Sequence, residues 1–185
     1  MACKDVLESS ELWYFPPFFT LQQKIEQADV CTEQLKQWDA LLMKWCYEVK
    51  SREIPKDNYL EKAIFKNTKI NRKVSDELFR EIIDWFKRKG RLVEINKSYY
   101  LLSAPEDTIP DSLLRLLKNN NFTVGCIITV LELKKTMDKD ASDLFALPDP
   151  VLKKALEALQ KSGNLALYQE GPVFGDETGI KILGL

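Results

Sequence analysis

The chain has 185 residues, with 27 lysines and arginines against 28 aspartates and glutamates, and no histidine. A net charge of −1 supplies no global field to draw in nucleic acid or an anionic membrane, while 45% hydrophobic residues are ample for buried cores. The missing histidine removes the commonest general base near neutral pH and the usual zinc ligand sets, which argues against an enzyme and against a metal site.

Cys3, Cys31, Cys46 and Cys126 are far apart, without a C-x-x-C pair, and read as reduced thiols that fill cores. There is no Gly-rich phosphate loop, no nucleophile elbow and no paired carboxylates on an apolar background. No catalytic residue, metal ligand or cofactor is therefore expected. Residues 1–11 lack the continuous apolar core of a signal peptide, and no later run approaches transmembrane length, so a soluble, intracellular protein is expected.

Residues 12–21 read Leu-Trp-Tyr-Phe-Pro-Pro-Phe-Phe-Thr-Leu. Pro16 and Pro17 forbid a regular helix and favour an extended, polyproline-like course. So apolar a segment must be covered, either by this chain's own domain or by another chain. If it folds back, Trp13, Phe15, Phe18 and Phe19 complete a core; if it docks elsewhere, the stiff proline pair loses little entropy and holds the aromatic side chains outward.

From Thr32 the spacing changes. Leu35, Trp38, Leu41, Leu42, Trp45, Cys46 and Val49 recur at three and four residues, the stripe of an amphipathic helix. Pro55 interrupts it, and Tyr59, Leu60, Ala63 and Ile64 predict a second, short helix. Ser75 is a good N-cap for a third, with Asp76 and Glu77 at its positive end, Leu78, Phe79, Ile82, Ile83 and Phe86 as its stripe, and Gly90 as its stop. Residues 91–95 and 98–102 then read as two strands joined through Asn96 and Lys97. Three helices and a hairpin make a winged helix.

The order returns at an offset of 73 residues, where Val74, Leu78, Phe79, Ile83, Phe86, Gly90 and Leu92 fall on Leu147, Val151, Leu152, Leu156, Leu159, Gly163 and Leu165. Before this echo, residues 112–117 begin a helix, 122–124 read as a short strand and 127–133 as a second helix; after it, 165–168 and 179–183 form the second hairpin. The expected fold class is α+β, with two tandem winged-helix domains, each of three helices and a β-hairpin, behind an extended Pro-aromatic segment. The expected boundaries are 1–30 for the segment, 31–104 for the first domain and 105–185 for the second, with Ala104-Pro105 at the junction.

Winged helices often bind DNA, but the first recognition-type helix would meet phosphates with Asp76, Glu77, Glu81 and Asp84 as well as Arg80, Lys87, Arg88 and Lys89. Its charges cancel and its leading end is acidic, so no nucleic-acid partner is expected; a winged-helix adaptor in transcription is the alternative reading. Lys62, Lys66, Lys69, Arg72 and Lys73 form a basic patch, fit for lipid or an acidic partner, or for solubility alone. Asp138, Asp140 and Asp143 lack the turn glycine and closing glutamate of a calcium loop.

The run Phe15-Pro16-Pro17-Phe18-Phe19-Thr20-Leu21-Gln22, the Trp38-bearing helix, Asn71-Arg72-Lys73-Val74 and Arg88-Lys89-Gly90 resemble the vacuolar protein sorting-associated protein 25 family, the small subunit of the ESCRT-II complex. The resemblance implies two copies in a hetero-tetramer, each docking on one of the two larger ESCRT-II subunits through Trp13, Phe15, Pro16, Pro17, Phe18 and Phe19. It further implies recruitment of an ESCRT-III subunit by the second winged helix, for sorting of cargo into multivesicular bodies, by a cytoplasmic protein whose association with the endosomal membrane is indirect. Residues 106–185 carry 9 basic and 12 acidic side chains, a net of −3, which suits a basic partner helix. Ile127, Val130 and Val173 are the candidate ESCRT-III contacts.

Overall fold

The computed structural model describes residues 6–22, 30–140, 143–169 and 173–185. They fall into two compact units, Met1–Leu101 and Leu102–Leu185.

In the first unit, helix α1 (Val30–Glu48) buries Leu35, Trp38, Leu41, Leu42, Trp45 and Cys46 on one face, as the three-and-four spacing requires. Each fully buried leucine on that face contributes roughly 2 kcal/mol. Helix α2 (Asp76–Arg88) begins where Ser75, with extended backbone, accepts from the Leu78 amide on Oγ at 3.3 Å. Gly90 ends it in the left-handed region, φ 64°, where a side chain would be strained. Asp39 locks the two helices together: its Oδ2 accepts from Trp85 Nε1 at 3.0 Å and from Arg91 Nη1 at 2.7 Å.

The sheet of this unit holds a strand that the periodicity did not reveal. Strand β1 (Glu53–Pro55) precedes the short pair β2 (Lys66–Asn67) and β3 (Arg72–Lys73), and the hairpin β4 (Leu92–Ile95) and β5 (Ser98–Leu101) follows α2. The order is β1-β5-β4, antiparallel, with Ile54 opposite Tyr99. Pro55 is tolerated because β1 is an edge. Asn96, at φ 53°, makes the turn between β4 and β5. The short helix expected around residues 59–64 is instead two 3₁₀ turns, Tyr59–Glu61 and Ala63–Phe65, broken at Lys62, whose backbone is extended.

The second unit repeats the plan. Helix α3 (Ile109–Asn119) starts on Pro110 in its first turn, where the missing amide costs nothing. Strand β6 (Ile127–Thr129) leads directly into helix α4 (Val130–Lys139). The expected single helix over 127–133 is therefore divided, because Thr129 adopts extended backbone and caps α4. Its Oγ1 accepts from the Glu132 amide at 3.2 Å while Glu132 Oε2 accepts from the Thr129 amide at 2.8 Å. The strand expected at 122–124 is not formed; Asn121 takes a left-handed turn there, φ 58°.

Helix α5 (Asp149–Lys161) and strand β7 (Leu165–Tyr168) stand 73 residues beyond α2 and β4 at both ends. Gly163 repeats the positive φ of Gly90, and β8 (Gly179–Ile182) completes a sheet of order β6-β8-β7. The duplication therefore extends from a helix pattern to sheet order. The fold is α+β, two winged helices in tandem.

Candidate docking surface

The Pro-aromatic segment is not extended. It forms two consecutive 3₁₀ turns, Glu11–Tyr14 and Pro16–Phe19. Pro16 and Pro17 occupy the first two positions of the second turn, where neither N–H would have had a partner, so the residues that forbid a long helix favour this short one.

The turns sort the aromatic residues into two sets. Trp13, Phe18 and Phe19 are buried in the chain's own first unit, which corrects their expected availability as docking side chains. Phe18 and Phe19 pack on Trp38, and Trp13 packs on Phe19 with ring centroids 5.2 Å apart. Main-chain atoms of the segment are held as firmly: Trp38 Nε1 donates to Phe18 O at 3.0 Å, Asn67 Nδ2 to Trp13 O at 2.7 Å, and the Ser75 amide to Phe19 O at 3.0 Å. Tyr14 and Phe15 face outward, 40% and 55% exposed, and Pro16 and Pro17 are exposed with them.

Positive charge flanks this edge. Strand β3, Arg72–Lys73, lies against the Pro16–Phe19 turn, and both side chains are exposed. Lys66 stands directly opposite Lys73, a like-charge pair that each strand presents to solvent. Lys69 binds Glu8 at 2.8 Å, and that hydrogen bond raises the lysine's pKa.

In the second unit, Ile127 and Val173 are 65% and 79% exposed, whereas Val130 is fully buried, so the expectation that Val130 meets a partner is corrected. Val130 is the first residue of α4, and its amide donates to Thr178 O at 2.9 Å, so its side chain enters the core. Val124, Leu131 and Tyr168 are also exposed; sequence reasoning missed them because alternation and helix stripes report the core side alone. Lys134 holds the final wing in place, binding Asp149 and Asp176 at 2.7 Å each. Burial pulls this lysine's pKa down, but the two carboxylates outweigh it and the net shift is upward.

Among the described residues no group of acidic, cysteine or histidine side chains could hold a metal ion, and no helix is long and apolar enough to cross a membrane. Asp140, of the aspartate loop, accepts from Asn120 Nδ2 at 2.6 Å.

A family model described as ESCRT-II complex subunit matches residues 12–148. The vacuolar protein-sorting-associated protein 25 of Danio rerio is 30% identical over 169 residues, covering 90% of this chain and 93% of its own. Its counterpart from Xenopus laevis is 29% identical over 149 residues, covering 80% and 84%. A crystal structure of subunit VPS25 of the endosomal trafficking complex ESCRT-II matches with a TM-score of 0.68 at 20% identity, over 94% of this chain and 99% of that one. A chain of the ESCRT-II complex VPS22/VPS25/VPS36 matches with a TM-score of 0.67 at 19% identity, over 94% and 98%. These structural matches show the fold, and the family model spans most of the chain, from the Pro-aromatic segment into the second unit: the chain belongs to the family of ESCRT-II complex subunits, with the vacuolar protein-sorting-associated protein 25 sequences as its relatives.

Proposed function

We propose that this chain is the small subunit of an ESCRT-II assembly and works by docking rather than by catalysis. The observation that carries the reading is the edge Tyr14-Phe15-Pro16-Pro17, exposed and apolar on an otherwise hydrogen-bonded frame, with Arg72 and Lys73 beside it. A small exposed apolar edge with a charged flank suits a pocket on another protein. The partners are the counterparts of VPS22 and VPS36, named with VPS25 in the matched complex. Each of two copies docks through its own edge, giving a hetero-tetramer.

The second unit supplies the other contact. Ile127 and Val173 are exposed, and residues 106–185 carry 9 basic against 12 acidic side chains. These exposed positions receive a basic helix of an ESCRT-III subunit, and the pairing serves cargo sorting into multivesicular bodies. Residues 1–104 suffice to join ESCRT-II, and residues 105–185 bring in ESCRT-III. The protein acts in the cytoplasm and reaches the endosomal membrane through its partners.

Co-expression with the VPS22-type and VPS36-type subunits of the same organism tests this directly. Native mass should give two copies of this chain with one of each larger subunit; failure to co-elute with either would overturn the reading.

A further inference from the structure

Gln34 lies in α1 and is almost wholly buried, on the face that otherwise carries Leu35 and Trp38. A primary amide is costly to bury unless its donors and acceptor are all engaged. Here every bond goes to the docking segment: Nε2 donates to Phe18 O at 3.2 Å and Thr20 O at 2.9 Å, and Oε1 accepts from the Gln22 amide at 3.1 Å. Gln22, so placed, turns its own Nε2 onto Pro17 O at 2.7 Å. The connection thus runs from α1 through Gln34 and Gln22 to the carbonyl of Pro17, in the exposed edge itself.

From Phe15 to Pro17 that edge offers a partner no free backbone N–H. The Phe15 amide donates to Leu12 O at 3.1 Å, and the two prolines have none. Along Phe15-Pro16-Pro17 no backbone donor is left to pair with an added strand, so a partner there reads the shape of the apolar side chains. Shape recognition demands that the turn be held before binding, because any fraction of the chain with a loosened turn is removed from the competent pool.

Resting on the docking reading above, we infer that Gln34 is the positioning residue of the docking edge, holding the Pro16–Phe19 turn in the binding conformation without touching the partner. Tight packing alone does not call for an amide at this position, since methionine has similar length and helix propensity.

The test titrates the full-length chain against a co-purified pair of VPS22-type and VPS36-type subunits, with Gln34→Met, Pro17→Ala and Ile83→Val compared. Ile83→Val trims a buried side chain of α2, eight residues beyond the Ser75 contact with the segment, and serves as the control for lost stability. Gln34→Met is expected to weaken binding about tenfold, through loss of the competent population. It is also expected to speed hydrogen exchange at the Gln22 amide, while Ile83→Val moves neither. If Gln34→Met binds as the original chain does, or loses no more than Ile83→Val, the positioning role is overturned. Pro17→Ala separates the two ideas: weaker binding by Pro17→Ala with full binding by Gln34→Met sinks the inference alone, whereas full binding by Pro17→Ala sinks the docking reading. Should Gln34→Met fail to fold, Gln34→Asn, whose shorter arm cannot span the same three atoms, is judged by the same outcomes.

Discussion

Phe18 lies face to face on Trp38, with ring centroids 4.4 Å apart and planes inclined by 4°, and the Trp38 indole donates to the carbonyl of the same Phe18. One residue of the Pro-aromatic segment is thereby fixed twice to α1, by ring and by main chain. The segment is part of the first unit's core on one side and a free edge on the other.

This division predicts opposite effects of two neighbouring phenylalanines. Phe18→Ala should lower stability by about 3–5 kcal/mol, since it removes a buried ring and leaves a cavity against Trp38. Phe15→Ala should change it by about 0.5 kcal/mol or less, as an exposed substitution does. Urea unfolding followed by tryptophan fluorescence measures both, and equal losses would contradict the assignment of faces.

Cys46 gives a pH signature. Burial pushes its thiol from 9.0 up to about 12, an effect that the charges of Arg52 and Lys62 offset only in part. The unfolded thiol therefore ionises first. The stability held by the neutral thiol is fully present below pH 9.0 and is lost as pH rises towards about 12. Its slope approaches about 1.4 kcal/mol per pH unit within that window. Cys46→Ala should lose some packing energy at neutral pH yet show a shallower decline in alkali; parallel curves for the two proteins would refute the role of this thiol.

Much of the fold was legible because local signals agreed with one another. Ser75, the stripe from Leu78 to Phe86, Gly90 and the turn at Asn96 each marked the same helix and hairpin, and the echo at 73 residues carried them into the second unit. Strand β1 escaped because three residues ending in proline show no alternation, and its partner β5 lies far along the chain. Strand β6 was absorbed into a helix because Ile127, Ile128, Val130 and Leu131 form an apolar run interrupted only by Thr129, the residue whose cap divides it. In the candidate site, residue types marked the segment but not its faces. Which aromatic residue turns inward is decided by tertiary partners, Trp38 beneath Phe18 and Asn67 beneath Trp13, and no spacing rule encodes them.

In the second unit, the double variant Ile127→Ser with Val173→Ser should weaken binding of the ESCRT-III subunit while leaving the thermal transition within about 2 °C, because both side chains are exposed. Val130→Ser should instead destabilise the unit, placing a hydroxyl in the core. Titration and melting curves distinguish them. Undiminished ESCRT-III binding by the double variant would remove this surface from the account.

The most direct measurement of the central claim is the affinity of the full-length double variant Phe15→Ala with Pro17→Ala for the VPS22-type and VPS36-type subunits. Both side chains belong to the exposed edge, so circular dichroism should show an intact fold. Binding should weaken by about thirtyfold or more, the loss that follows when the centre of a small docking surface is truncated. A folded double variant that binds both larger subunits as tightly as the original chain would contradict it.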